Sequence, residues 1–198
     1  MMRNCQSHSV SHGSGDGLDR IVQTYLDNNA AGEERYLRFY AIQRSLPDAI
    51  SKAAMAELPN GKRFSHQRRI PGRVLAQARD ALLQIDYRGL KTFSELYELV
   101  AKALRPIPGI GLLTIYDTAH RFGAYLKLSP EHVYLHAGVR VGAKALALPD
   151  WKDKLPISAF PRAFQRLRPE QVEDCLCIYK SDLEAWARSQ RRQACPGS

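Results

Sequence analysis

Cysteine is scarce in this sequence and spaced badly for chemistry. The four residues are Cys5, Cys175, Cys177 and Cys195. No C-x-x-C pair occurs and no histidines stand at zinc-finger spacing, which excludes the common structural zinc sites. Cys175 and Cys177 fall two apart in a helical pattern, where side chains leave on different faces, so they read as reduced structural thiols. His8 and His12 stand four apart, but Gly13 and Gly15 beside them disfavour the helix that would pair them, so no metal site is expected.

Other absences narrow the field further. No apolar run approaches the roughly 18 residues of a membrane span, so no membrane partner is expected. No G-x-x-x-x-G-K-[ST] occurs, and Asn60-Gly61 does not replace it, which excludes a phosphate-loop nucleotide triphosphatase. Alternating apolar–polar runs of strand length are missing, so sheet-built folds drop out. Nothing in the chain calls for a cofactor. Met1–Gly17 is polar and lacks the apolar core of a secretory signal, so it reads as a disordered leader on a cytoplasmic protein.

What is present is positive charge and helical periodicity. The formal charge is +9 and the pI is near 9.6, a balance that favours an anionic partner, nucleic acid being the commonest. The charge is concentrated: between Glu57 and Asp80 there is no acid, yet Lys62, Arg63, Arg68, Arg69, Arg73 and Arg79 all occur. Turn formers bound PNGKRFSHQRRIPG at residues 59–72, which marks a loop. A loop so basic suits a phosphate backbone, with Phe64 expected to stack on a base or wedge a step.

Around that loop the apolar spacing predicts helices over Leu18–Ala30, closed by Asn-Asn-Ala-Ala-Gly, and over Glu33–Leu46, Asp48–Leu58 and Arg73–Asp86. A helix capped by Ser94 follows, then one from Leu112 to Leu126. Ser129-Pro130-Glu131 reads as a further helix start. Short and long helices are then expected over Ser158–Leu167 and Pro169–Gln190. The expectation is a single all-α domain over residues 18–190, with a flexible tail at 191–198.

Between two of these helices lies Pro108-Gly109-Ile110-Gly111. Two glycines permit positive φ and a close backbone approach. The helix that follows opens with unpaired N–H groups and a positive dipole end, which suits a phosphate oxygen. Such contacts give position and affinity without base readout. Ile110 completes the turn, and the Thr114 hydroxyl is the one nearby side chain able to help hold a phosphate.

The segment LRPIPGIGLLTIYDTAHRFG, Leu104–Gly123, resembles the helix-hairpin-helix motif, whose turn has a hydrophobic-Pro-Gly-hydrophobic-Gly core. It is most similar to the version in the helix-hairpin-helix DNA glycosylase superfamily, in order and spacing, over about Phe93–Leu148. The resemblance implies a multi-helix DNA-binding fold and a link to DNA repair. It places the family's catalytic aspartate at Tyr134 and the lysine nucleophile of bifunctional members at Leu113. An uncharged phenol does not replace a carboxylate's electrostatic role, and the cysteines do not match the iron–sulfur loop of some members.

The expected function is therefore duplex DNA binding with little sequence selectivity and without the usual glycosylase activity. Its contacts would be Pro108, Gly109, Ile110, Gly111 and Thr114, with Lys62, Arg63, Phe64, Arg68, Arg69 and Arg73. One alternative is a nucleobase-hydrolysing enzyme with a displaced carboxylate. Asp117 is its first candidate, placed three residues from His120 and four from Arg121 in the order of a surface pair, and His136 is its second. Another alternative is an adaptor that docks a partner on Ile110, Leu112 and Leu113. The small residues of AGVRVGAKA after His136 imply close approach by another helix or a ligand.

Overall fold

The computed structural model describes residues 15–149 and 152–194. Their structure is mostly helical, with one two-stranded ladder among the described residues. Cys5, His8, His12 and Cys195 lie outside the described residues, as does most of the expected leader.

The first helix, α1 (Gly15–Tyr25), does not stop at the asparagines. It passes through a π-helical turn, Leu26–Ala30, directly into α2 (Ala31–Ala41). The stop signal fails because the amides find other partners: Asn28 donates to the Thr24 carbonyl at 3.0 Å, and Asn29 accepts from the Tyr179 hydroxyl at 3.0 Å. Ser45 then caps α3 (Leu46–Ala54), accepting from the Asp48 N–H, with proline in its first turn.

The basic loop contains a single bridge, Glu57 to Arg63, and a 3₁₀ turn over Ser65–Gln67. Beyond it runs α4 (Gly72–Leu83). The cap of α5 (Phe93–Leu104) is Thr92 rather than Ser94, because Glu95 completes a capping box with Thr92. The glycine turn leads into α6 (Leu112–Leu126), whose bounds are those the sequence pattern predicts.

Ser129-Pro130-Glu131 does not start a helix. The Glu131 carboxylate instead accepts from the Phe93 N–H at 2.8 Å, at the start of α5. The chain behind it extends as β1 (Val133–Tyr134), antiparallel to β2 (Lys154–Leu155) with Val133 opposite Leu155. Helix α7 (Ala137–Ala145) begins only at His136, its N-cap. Two 3₁₀ turns, Ile157–Ala159 and Arg162–Arg166, replace the expected short helix. The long last helix is broken at Tyr179 into α8 (Pro169–Ile178) and α9 (Lys180–Ala194), so residues 191–194 are helix and not tail.

Two apolar cores result. One joins α3, α4, α5 and α6 through side chains such as Ile50, Leu82, Phe93, Leu104, Ile115 and Phe122. The other joins α1 to the C-terminal half through Val22, Tyr25, Val139, Leu155, Phe164, Leu176 and Leu183. Leu176 and Leu155 are essentially inaccessible, as are Leu104 and Phe122 in the first core, and such side chains stabilise by about 1.5–3 kcal/mol each. The glycine turn follows α5, whose Leu104 and the next apolar residue Ile107 belong to the first core.

Candidate nucleic-acid interface

Only one of the turn's two glycines has a left-handed backbone: Gly109 has φ +92°, whereas Gly111 has φ −99° and ψ 171°. Gly111 is the N-cap of α6. The first bond back to it comes from the Ile115 N–H, 3.1 Å from the Gly111 carbonyl, which leaves the earlier N–H groups of the helix without helical partners. Pro108, Gly109 and Gly111 are exposed. Thr114 is not available, because its side chain is buried. Ile110 and Leu113 are partly covered and Leu112 alone is half exposed, so the apolar patch an adaptor would need does not form at the turn.

The start of α4 packs against the turn. A Cβ on Gly109 would lie 3.8 Å from Val74 Cγ1, and Arg73 precedes Val74 in the first turn of α4. Lys62, Arg68, Arg69 and Arg73 are exposed, and none pairs with a carboxylate among the described residues. Two of the expected contact residues face elsewhere. Arg63 donates to the Ile70 carbonyl at 3.3 Å, which ties the loop to itself. Phe64 is not free to stack on a base: its ring meets Tyr36 edge-on at 5.4 Å and carries the Arg121 guanidinium at 4.2 Å.

Asp117 and Arg121 are paired as their spacing predicts, at 3.2 Å, but Arg121 is buried and Asp117 is largely covered, so the pair is not an open surface one. Three donors converge on Asp117 Oδ2: Arg121, Gln67 at 3.2 Å, and His66, whose Nε2 lies 2.7 Å away. Burial alone would raise the pKa of Asp117, yet the Arg121 charge and the His66 contact hold it below the usual carboxylate value. His120 does not form the expected pair with Asp117. It is buried against Phe93 and Tyr116, and burial lowers its pKa to about 4.

Beside the turn is a cavity of about 170 Å³. Arg105 and Leu112 border it from either side of the turn, and Tyr97, Tyr116, Tyr134 and His136 form an aromatic wall. The rings run in sequence, with centroids 4.6 Å apart for Tyr97 and Tyr134, 5.3 Å for Tyr134 and Tyr116, and 6.1 Å for Tyr116 and His136. Asp117 is not among its lining residues; His136 is. His136 Nε2 is hydrogen-bonded to Glu173, while its Nδ1 and the Tyr116 hydroxyl are buried with no hydrogen-bond partner. Buried polar atoms left without a partner among the described residues are costly.

No family model, no curated protein and no solved structure matches the chain.

Behind His136 stands a set of acids that the sequence pattern did not single out. Glu170, Glu173 and Asp174 share one face of α8 at helical spacing, and Glu33 of α2 feels the charge of all three. Burial raises Glu33 to about 8, Glu173 to about 7 and Asp174 to about 6, with neighbouring carboxylates adding to each. The Tyr25 hydroxyl donates to Glu33 at 3.1 Å. The i, i+3, i+4 acidic spacing in PEQVEDCLC was the available signal. Cys175 beside these acids is buried, its thiol pushed up to about 12 by burial, and Cys177 is a second free thiol among the described residues.

Proposed function

We propose that this chain binds duplex DNA as a helix-hairpin-helix protein of glycosylase-like architecture, gripping the phosphate backbone with little regard for sequence. The observation that carries the reading is the contact of Val74 with Gly109. That contact brings the start of α4 near the turn ahead of α6, and the reading takes the exposed cations of the loop and of Arg73 with the open N–H groups of α6 as one phosphate-binding surface. Tyr134 and Leu113 stand where the resembling family has its catalytic aspartate and lysine, so the usual glycosylase chemistry is not part of the proposal.

Duplex binding at two salt concentrations tests it. A Cβ on Gly111 would meet nothing within 4 Å, so Gly111→Glu adds a negative charge at the helix end without steric cost and should abolish tight binding. Arg68→Ala with Arg69→Ala should weaken binding and lower the salt slope by about one for each phosphate no longer neutralised. Unchanged binding in both variants would remove this interface.

A second reading, a nucleobase-processing enzyme, draws support from one feature: the aromatic cavity that meets the turn at Arg105 and Leu112 and holds His136, backed by Glu173. In this reading His136 with Glu173, and not Asp117, supplies the acid–base group. A screen of damaged-base duplexes with the wild type, His136→Gln and Asp117→Asn checks it. Product that disappears only in the His136 variant supports the reading, and no product from the wild type overturns it.

A further inference from the structure

The basic loop has almost no regular structure of its own, yet one of its residues, Gln67, is only 1% exposed. Gln67 inserts between two side chains of α6. It donates to Asp117 and accepts from Arg121 Nη1 at 2.8 Å, while the same guanidinium reaches the Ala53 carbonyl of α3 at 3.4 Å. His66 closes on Asp117 from the solvent side, and Phe64 lies under Arg121. Three loop residues, 64, 66 and 67, are thus held by two α6 residues one helical turn apart, on the helix whose first residue follows the glycine turn.

A buried ion pair is poor evidence of stability, since apolar packing of the same volume often does as well. Its value lies in direction: the Arg121 fork and the Asp117 oxygen accept partners from fixed angles only. We infer that Asp117 and Arg121 are positioning residues, which fasten the basic loop to the helix carrying the glycine turn. Loop and turn then meet the phosphate backbone as one preset surface, and the loop is already ordered at the moment of binding. The inference rests on the DNA-binding reading for its purpose, but the fastening itself is a property of the free protein.

The test uses the full chain with three changes: His66→Ala, Gln67→Ala and Asp117→Asn. Asp117→Asn leaves Arg121 uncompensated and puts folding at risk. His66→Ala removes a side chain that is 45% exposed and leaves the core intact. Tryptic cleavage at Lys62, Arg63, Arg68 and Arg69 should quicken about tenfold in each variant, while the melting temperature of His66→Ala stays near that of the wild type. Duplex affinity should fall several-fold with the salt slope kept, because the loop's cations remain and only their arrangement is disturbed. Unchanged loop cleavage in both His66→Ala and Asp117→Asn would overturn the inference. So would a salt slope lowered as far as in the Arg68/Arg69 double variant, which would make the network a charge contact. If the wild type does not bind duplex DNA, the functional reading falls, and the cleavage rates still decide whether the loop is fastened.

Discussion

The carbonyl oxygen of Leu176 lies 2.6 Å from the place a Cβ on Gly142 would occupy. Helix α7 therefore packs backbone to backbone on α8, the close approach that its run of small residues implies. Ordinarily Gly→Ala inside a helix stabilises by about 1 kcal/mol. Here the clash is with main chain and reverses the sign, so Gly142→Ala should destabilise by about 1–3 kcal/mol in urea titration. Gly32→Ala, at a position with nothing within 4 Å, is the control and should be neutral or stabilising.

Gly109 and Gly111 should respond differently to alanine. At Gly109 the φ of +92° strains any side chain, although a Cβ there would make only an ordinary contact with Val74, so Gly109→Ala should cost about 1–2 kcal/mol of stability. Gly111→Ala has no such strain and should lose only what alanine forfeits as a poorer N-cap, about 0.5–1 kcal/mol. Equal destabilisation at both positions would remove the assigned turn geometry.

Placing the resembling family's acid at residue 134 should not create activity. Tyr134 is 4% exposed, meets the rings of Phe93, Tyr97 and Tyr116, and shares a hydrogen bond with Ser94 at 3.2 Å. Tyr134→Asp removes a core aromatic and should destabilise by about 3–5 kcal/mol. Tyr134→Phe should cost about 1 kcal/mol, the value of the single hydrogen bond. Thermal melts of the two variants give the comparison.

Stability should fall as the medium turns alkaline across the range set by the buried acids. Glu33 keeps its proton in the folded state up to about pH 8, against 4.5 for the free side chain. Between those values the folded state binds more protons than the unfolded, so raising the pH removes stability. Each such carboxyl contributes a slope of up to about 1.4 kcal/mol per pH unit. Glu33→Gln should therefore flatten the profile between about pH 5 and pH 8 and make the variant relatively more stable at the alkaline end. A profile parallel to that of the wild type would show that Glu33 ionises normally in the fold.

Much of the helical scaffold was legible from spacing alone, as at Leu112–Leu126, where apolar stripe and flanking glycines agree. The misreadings share a cause: a local signal was overridden by a distant partner. Glu131 belongs to the start of α5 and not to a helix of its own. The asparagines that should stop α1 are held by Thr24 and Tyr179. At the site, the exposed cations of the loop could be read from charge density. The contacts that partly cover Phe64 and Asp117 could not, because both depend on side chains that meet only when the loop folds onto α6. Glu173 was hidden for the same reason, since its partner His136 lies 37 residues earlier.

The second core has a consequence for the order in which a growing chain can fold. Leu18, Val22 and Tyr25 are made well before Phe164, Leu176 and Leu183 of the same core, and Tyr179 reaches Asn29 across 150 residues. Most of the first core is contained within residues 40–134 and closes through contacts nearer in sequence. During synthesis the apolar stripe of α1 is therefore fully covered only once the 162–166 turn and α9 are made. That interval is when a chaperone would find its binding site.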